Sequence, residues 1–187
     1  MWIGTSTGLY LLEKATGKYT YIQMPVESYY IYSLCQASDG MLYIGTNNAG
    51  LLVYDTTKNT FRHYHRDNCA LISNNIYTLL SDGKGNIFLS TEHGLSTFYP
   101  VEETFHNWTK EQGLKSDHFN AASGTLRKNG NFIFGSTDGA IEFNKDMILP
   151  RDYKFKMVFS DLRVFYQTVY PKDLHLFWIL TRQKPCV

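Results

Sequence analysis

The sequence predicts an all-β fold, a partial β-propeller of two full and two partial four-stranded blades, on three observations. First, the chain repeats itself. Trp2-Ile3-Gly4-Thr5 with Gly8-Leu9 returns as Tyr43-Ile44-Gly45-Thr46 with Gly50-Leu51, as Phe88-Leu89-Ser90-Thr91 with Gly94-Leu95, and as Ile133-Phe134-Gly135-Ser136 with Gly139-Ala140. Short strands recurring at a period of about 40–45 residues are the signature of propeller blades. Second, 16% of the residues are aromatic, with 14 Tyr and 12 Phe, a bias toward pleated, half-buried surfaces. Third, the apolar runs are short and are separated by turns rich in Gly, Asn and Asp.

The first unit starts at Trp2 and lacks a first strand. The second is complete. Tyr30 to Cys35 alternates and reads as a strand, and Asp39-Gly40 turns the chain because Gly tolerates positive φ. Met41 to Thr46 returns, residues 47–50 turn again, Leu51 to Asp55 is a third strand and Thr60 to Tyr64 a fourth. The third unit repeats this plan with Ile76 to Leu80, Ile87 to Thr91, Leu95 to Tyr99 and Thr104 to Trp108. The fourth runs Ala121 to Arg127, Phe132 to Ser136 and Ala140 to Asn144, then reaches Met147-Ile148-Leu149-Pro150 with no evident fourth strand. A closed ring needs about four to eight blades. Open strand edges are therefore expected at both ends, and such edges invite association. The small residue in each Ile-Gly-Thr motif is read as permitting close approach where a blade bends.

Composition narrows the function classes. Apolar residues are 43%, charged residues 19%, and the net charge is +1 with Lys and Arg dispersed. This is a globular chain without the basic face that nucleic-acid binding requires. Cys35, Cys69 and Cys186 share no metal-ligand spacing and read as unpaired thiols. Met1 runs directly into a repeat without the charged and apolar regions of an export signal. Leu174 to Leu180 is too short to span a bilayer. No membrane contact, cofactor or metal is expected, and the chain as written would stay in the cytoplasm. Motifs for a hydrolase elbow, a phosphate loop or a zinc protease are missing, so no catalytic residue is assigned.

The run Asp39-Gly40-Met41-Leu42-Tyr43-Ile44-Gly45-Thr46 with Gly50-Leu51-Leu52-Val53-Tyr54-Asp55 resembles the two-component regulator propeller repeat. Trp108 to Asn120 resembles the lead-in to that family's final blade, and Phe134-Gly135-Ser136-Thr137-Asp138-Gly139 its last turn, with Ser136 in place of a second Gly. Phe155 to Val164 resembles the first strands of the tyrosine-rich, immunoglobulin-like β-sandwich that follows such propellers. The resemblance divides the chain into blades at 1–150 (the C-terminal part of a seven-bladed type), a sandwich start at 151–173 and a divergent tail at 174–187. It implies a fragment of a hybrid two-component sensor of gut Bacteroidetes-like bacteria. In that architecture a periplasmic propeller pair senses glycan fragments. The sandwich domain then relays the signal through a membrane helix to a histidine kinase, which this chain lacks.

Ligand sites on propellers gather where inter-blade loops meet, so the loops before the innermost strands are the candidates. Asn74, Asn75, Asp117, His118 and Asn120 fall there, with Trp108 as a stacking aromatic and Arg127 as a residue that can face the channel. Each has a structural alternative. The three Asn residues cap turns, Trp108 packs between blades, and Arg127 sits on a solvated rim. Glu92 and His93 read as polar surface loop. Among Tyr29, Tyr30 and Tyr32, alternation puts Tyr30 and Tyr32 on one face, where packing between blades is expected. The sequence is read as an oligosaccharide-sensing fragment. A self-associating propeller scaffold and a lyase-like propeller enzyme are the alternatives, and self-association through open edges or a dimeric parent is the expected assembly.

Overall fold

The computed structural model describes residues 1–26 and 30–144, with the backbone of two short strands at 163–164 and 167–168. The chain divides into two compact units, Met1–Pro150 and Arg151–Val187. In the second unit the described strands, β15 (Arg163–Val164) and β16 (Gln167–Thr168), pair antiparallel. Tyr29, the expected end of blade four at 147–150, most of the expected sandwich start and the tail at 174–187 lie outside the described residues.

The first unit is a succession of antiparallel meanders. Blade one holds β1 (Trp2–Thr5), β2 (Gly8–Leu12) and β3 (Tyr19–Ile22). Blade two holds β4 (Ile31–Gln36), β5 (Leu42–Thr46), β6 (Leu51–Asp55) and β7 (Thr60–Tyr64). Blade three holds β8 (Ile76–Ser81), β9 (Ile87–Thr91), β10 (Gly94–Tyr99) and β11 (Thr104–Trp108). Blade four holds β12 (Phe119–Leu126), β13 (Asn131–Ser136) and β14 (Gly139–Asn144). Strands β1, β4, β8 and β12 lie next to their neighbours in blade order, so the first strand of each full blade is the inner one.

The core is not one mass but a slab between each pair of blades. Leu9 and Met24 of blade one meet Ile31, Leu42, Ile44, Leu52 and Tyr54 of blade two. Tyr43, Leu51, Val53 and Tyr64 on the other face of blade two meet Ile76, Leu79, Ile87, Leu89 and Phe98 of blade three. Phe88 and Leu95 of blade three meet Phe119, Phe132 and Phe134 of blade four. Both faces of the middle blades are therefore covered, and β5 and β9 are buried at every residue. That explains why their sequences read as continuous apolar runs rather than alternating ones.

The small residue of the repeat has a more specific role than a bend. A Cβ on Gly4 would lie 2.5 Å from Ile31 Cγ2, and one on Gly45 2.8 Å from Ile76 Cγ2. In both cases the opposing atom belongs to the first residue of the next blade's inner strand. At the third junction Ser90 takes the place of Gly and is fully buried, with its hydroxyl unpartnered. There the close approach comes from the other side, where a Cβ on Gly124 would lie 2.7 Å from Thr78 Cγ2.

All three inner strands break alternation at one place. The register passes from Ile31↔Thr46 to Ser33↔Gly45, leaving Tyr32 without a partner. It passes from Ile76↔Thr91 to Thr78↔Ser90, leaving Tyr77 unpaired in the same way. In β12 it jumps from Phe119↔Ser136 to Gly124↔Phe134, and Ala122 takes a φ of 52° within that bulge. These bulges explain why Tyr30 and Tyr32 do not pack in the core as simple alternation suggests. Tyr30 stays 48% exposed, and its ring lies 4.9 Å from that of Tyr32.

Candidate functional site

The connections 65–75 and 109–118, which carry the chain from the outer strand of one blade to the inner strand of the next, come together at one end of the blades. The first is held by its own side chains. Asn68 Oδ1 accepts the His65 N–H at 2.9 Å, and Asn74 Oδ1 accepts the Arg66 N–H at 2.8 Å. The second begins with a 3-10 turn at Lys110–Gln112, which ends on Gly113 at a φ of 100°. Asp117 Oδ1 then accepts the Lys110 N–H at 2.6 Å and closes the connection into a compact loop. The buried Ser116 hydroxyl accepts the His118 N–H at 3.3 Å, fixing the backbone that presents His118.

Between these connections and the tip of the β9–β10 turn lies an open cavity of about 330 Å³. Ile72 lines it from the first connection, His93 from the turn, and Thr109, Glu111, Asp117 and His118 from the second. The His93 and His118 rings stand 6.2 Å apart, edge to face. His118 Nδ1 lies 3.2 Å from the Glu92 carbonyl oxygen. Two imidazoles, two carboxylates and a hydroxyl around one hollow offer donors and acceptors in several directions, suited to a small polyhydroxylated ligand.

The sequence candidates separate into groups. Asp117 and His118 line the cavity. Asn120 is exposed beside it, its amide donating to the Ser136 carbonyl at 3.1 Å. Asn75 bridges two blades: its Oδ1 accepts the Asn48 N–H at 2.7 Å, and its Nδ2 donates to Glu92 Oε2 at 2.6 Å. Asn74 is used within its own connection.

Two candidates do not belong with these. Trp108 is packed against the slab between blades three and four and touches the His106 ring at 4.4 Å. Its indole nitrogen is buried without a partner, and the ring is not part of the cavity lining. Arg127 follows the end of β12, while His118 precedes its start. The strand's length, roughly 20 Å or more, lies between them. Arg127 pairs with Glu142 at 3.4 Å on the opposite rim.

The residues that sequence reasoning passed over are Glu92 and His93, together with Ile72, Thr109 and Glu111. Their one visible signal was position. Glu92-His93 fills the same turn in blade three that Asn47 and Asn48 occupy in blade two.

With this geometry in place, likeness to known proteins is informative. The family model described as the two component regulator propeller matches residues 25–48. That match spans the inner strand β4 of blade two, the turn after it and β5, and the other units repeat the same short motif. One unit of the chain, the stretch that forms β4 and β5, thus matches the two-component regulator propeller repeat. Over 179 residues it is 23% identical to a histidine kinase of Formosa agariphila, covering 90% of this chain and 13% of that protein. The extracellular domain of a hybrid two-component system from B. thetaiotaomicron aligns with a TM-score of 0.62 at 25% identity, over 78% of this chain and 19% of that domain. The chain thus spans only a small part of either relative. The virginiamycin B lyase of Staphylococcus aureus shares the fold alone, at a TM-score of 0.57 and 14% identity over 74% of this chain and 49% of the lyase. Among the described residues no group of three or more His, Cys, Asp or Glu is placed to hold a metal ion. Among them, too, no helix is long and apolar enough to cross a membrane.

Proposed function

We propose that these regulator propeller repeats are the ligand-sensing part of a periplasmic hybrid two-component sensor that recognises an oligosaccharide and governs genes for glycan use. The observation that carries the reading is the cavity at the loop end, where two successive inter-blade connections and one turn converge on Asp117, His118 and His93. Catalysis is assigned to the parent's kinase, and this chain contributes recognition. A ligand bridging the connections of two blades changes how the blades pack, and that shift is what a paired sensor passes on.

Calorimetry of the 187-residue chain against a glycan panel tests the site. Asp117→Ala and His118→Ala are each expected to weaken saturable binding about tenfold or more, the scale of one hydrogen bond to a charged group. Unchanged affinity in both overturns the site assignment.

A second reading, self-association, is favoured by the blade edges. Among the described residues β1 pairs only with β2 and β14 only with β13. The face of blade one that carries Tyr10, Tyr19 and Tyr21 is aromatic, with Tyr19 74% exposed.

A further inference from the structure

The residue leading into each inner strand occupies a repeated place. Tyr30, Asn75 and His118 immediately precede Ile31, Ile76 and Phe119. Each gives its carbonyl to a turn of its own blade, accepting from Asn47 N at 2.8 Å, Glu92 N at 3.3 Å and Thr137 N at 3.0 Å respectively. Two of the three side chains also reach the turn of the preceding blade, Asn75 to the Asn48 N–H and His118 to the Glu92 carbonyl. The backbone at this place is thus pinned, and the side chain stands at the junction of two blades.

Directly after it comes the bulge. A bulge turns a side chain out of the strand's alternation, and here the turned residues are Tyr32, Tyr77 and, in blade four, the stretch from Asn120. The groups touch in sequence. The rings of Tyr30 and Tyr32 lie 4.9 Å apart and those of Tyr32 and Tyr77 5.4 Å apart. Two residues before Tyr77, the Asn75 amide donates to Glu92 Oε2 at 2.6 Å, and the Tyr77 ring packs against the slab between blades three and four. The Glu92 carbonyl meets His118, which opens into the cavity.

We infer that these pairs, one lead residue and one bulged residue per blade, form a continuous run of subsites for an extended neutral oligosaccharide, from Tyr30 at one end to the His118 cavity at the other. The inference rests on the carbohydrate reading above. The half-exposed Tyr30 ring and the partly exposed Tyr32 ring offer apolar faces to the C–H side of a sugar while their hydroxyls stay available for its polar edge. Tyr77, packed against the slab between blades three and four, supports Tyr32 from behind. The Asn75 amide is already oriented by two hydrogen bonds, so it loses little freedom on binding. The run contains no Lys or Arg, the residues that recognise carboxylate or sulfate groups, and this favours a neutral chain over an acidic one.

The test is calorimetry of the full 187-residue chain against malto-, cello-, xylo- and arabino-oligosaccharides, each as a series from di- to hexasaccharide. Affinity is expected to rise with length for the series that binds. Tyr30→Ala, at a half-exposed position, is expected to cancel about tenfold of that rise while leaving the shortest binding oligomer unchanged. His118→Ala is expected to weaken every length alike. A variant-free control is the ultraviolet difference spectrum of the unaltered chain, in which the longest oligomer perturbs tyrosine absorption. Affinity that does not depend on length, Tyr30→Ala acting equally on all lengths, or no tyrosine perturbation overturns the run of subsites and leaves the cavity reading standing. Failure of all four series to bind overturns both.

Discussion

Gly45 shows how one atom governs the contact between blades. Its missing Cβ leaves room for Ile76, whose Cγ2 would lie 2.8 Å and whose backbone oxygen 3.2 Å from an added methyl. Ile76 is fully buried and its carbonyl is part of the chain path into β8, so neither can move aside cheaply. Gly45→Ala is expected to destabilise the first unit by about 1–3 kcal/mol, the usual cost of overpacking, read as a lowered urea midpoint. The motif was visible in the sequence, and so was the need for a small residue. What it makes room for was not, because Ile76 lies 31 residues further along the chain.

At the scale of elements, strands and turns were largely legible because their physics is local. The outer strands β7 and β11 fall where apolar runs and polar turns place them, since only neighbours in sequence decide a hairpin. The β6–β7 turn is one such unit. Asp55 Oδ1 accepts the Thr57 hydroxyl at 2.6 Å and the Thr57 and Lys58 N–H groups at 3.0 Å. The Thr57 hydroxyl first, and the Lys58 N–H after it, hold the Asp55 carboxyl down at about 2. A folded-state value below the unfolded one stabilises the fold above the ordinary carboxylate range and ceases to do so as the pH falls through the lowered value. Asp55→Asn is therefore expected to melt below the parent chain at neutral pH, with the gap closing between about pH 4 and pH 2, as followed by circular dichroism. Bulges were not legible. Alternation assigns Tyr30 and Tyr32 to one face, but the extra residue in β4 pairs with nothing on β5, and only the partner strand reveals that. For the same reason β12 begins at Phe119 rather than Ala121.

For the first unit as a whole, the slab-by-slab core means that each blade is stabilised by its neighbours. Among the described residues the end blades then have one covered face and one open one. β2 and β14 contain exposed residues where β5 and β9 have none. The proposed self-association follows from those faces and from the edge strands β1 and β14, each of which among the described residues pairs on one side only. Light scattering over a concentration series is expected to give a dimer, and a monomer at every concentration would rule the edges out as an assembly surface.

By itself the sequence determined the blade repeat, the antiparallel meanders, the tight turns and the loops between blades, because propensity, period and turn chemistry act over a few residues. It also placed Asp117 and His118 among the candidates. Tertiary structure alone decided that these two share a cavity with His93, that Trp108 is packed away and that Arg127 sits on the other rim. It likewise decided that Asn75 ties the turns of two blades together and that Tyr32 meets Tyr77 across 45 residues of chain. Those relations depend on which strand ends point the same way and on how one blade leans against the next, and no local pattern of residues encodes either.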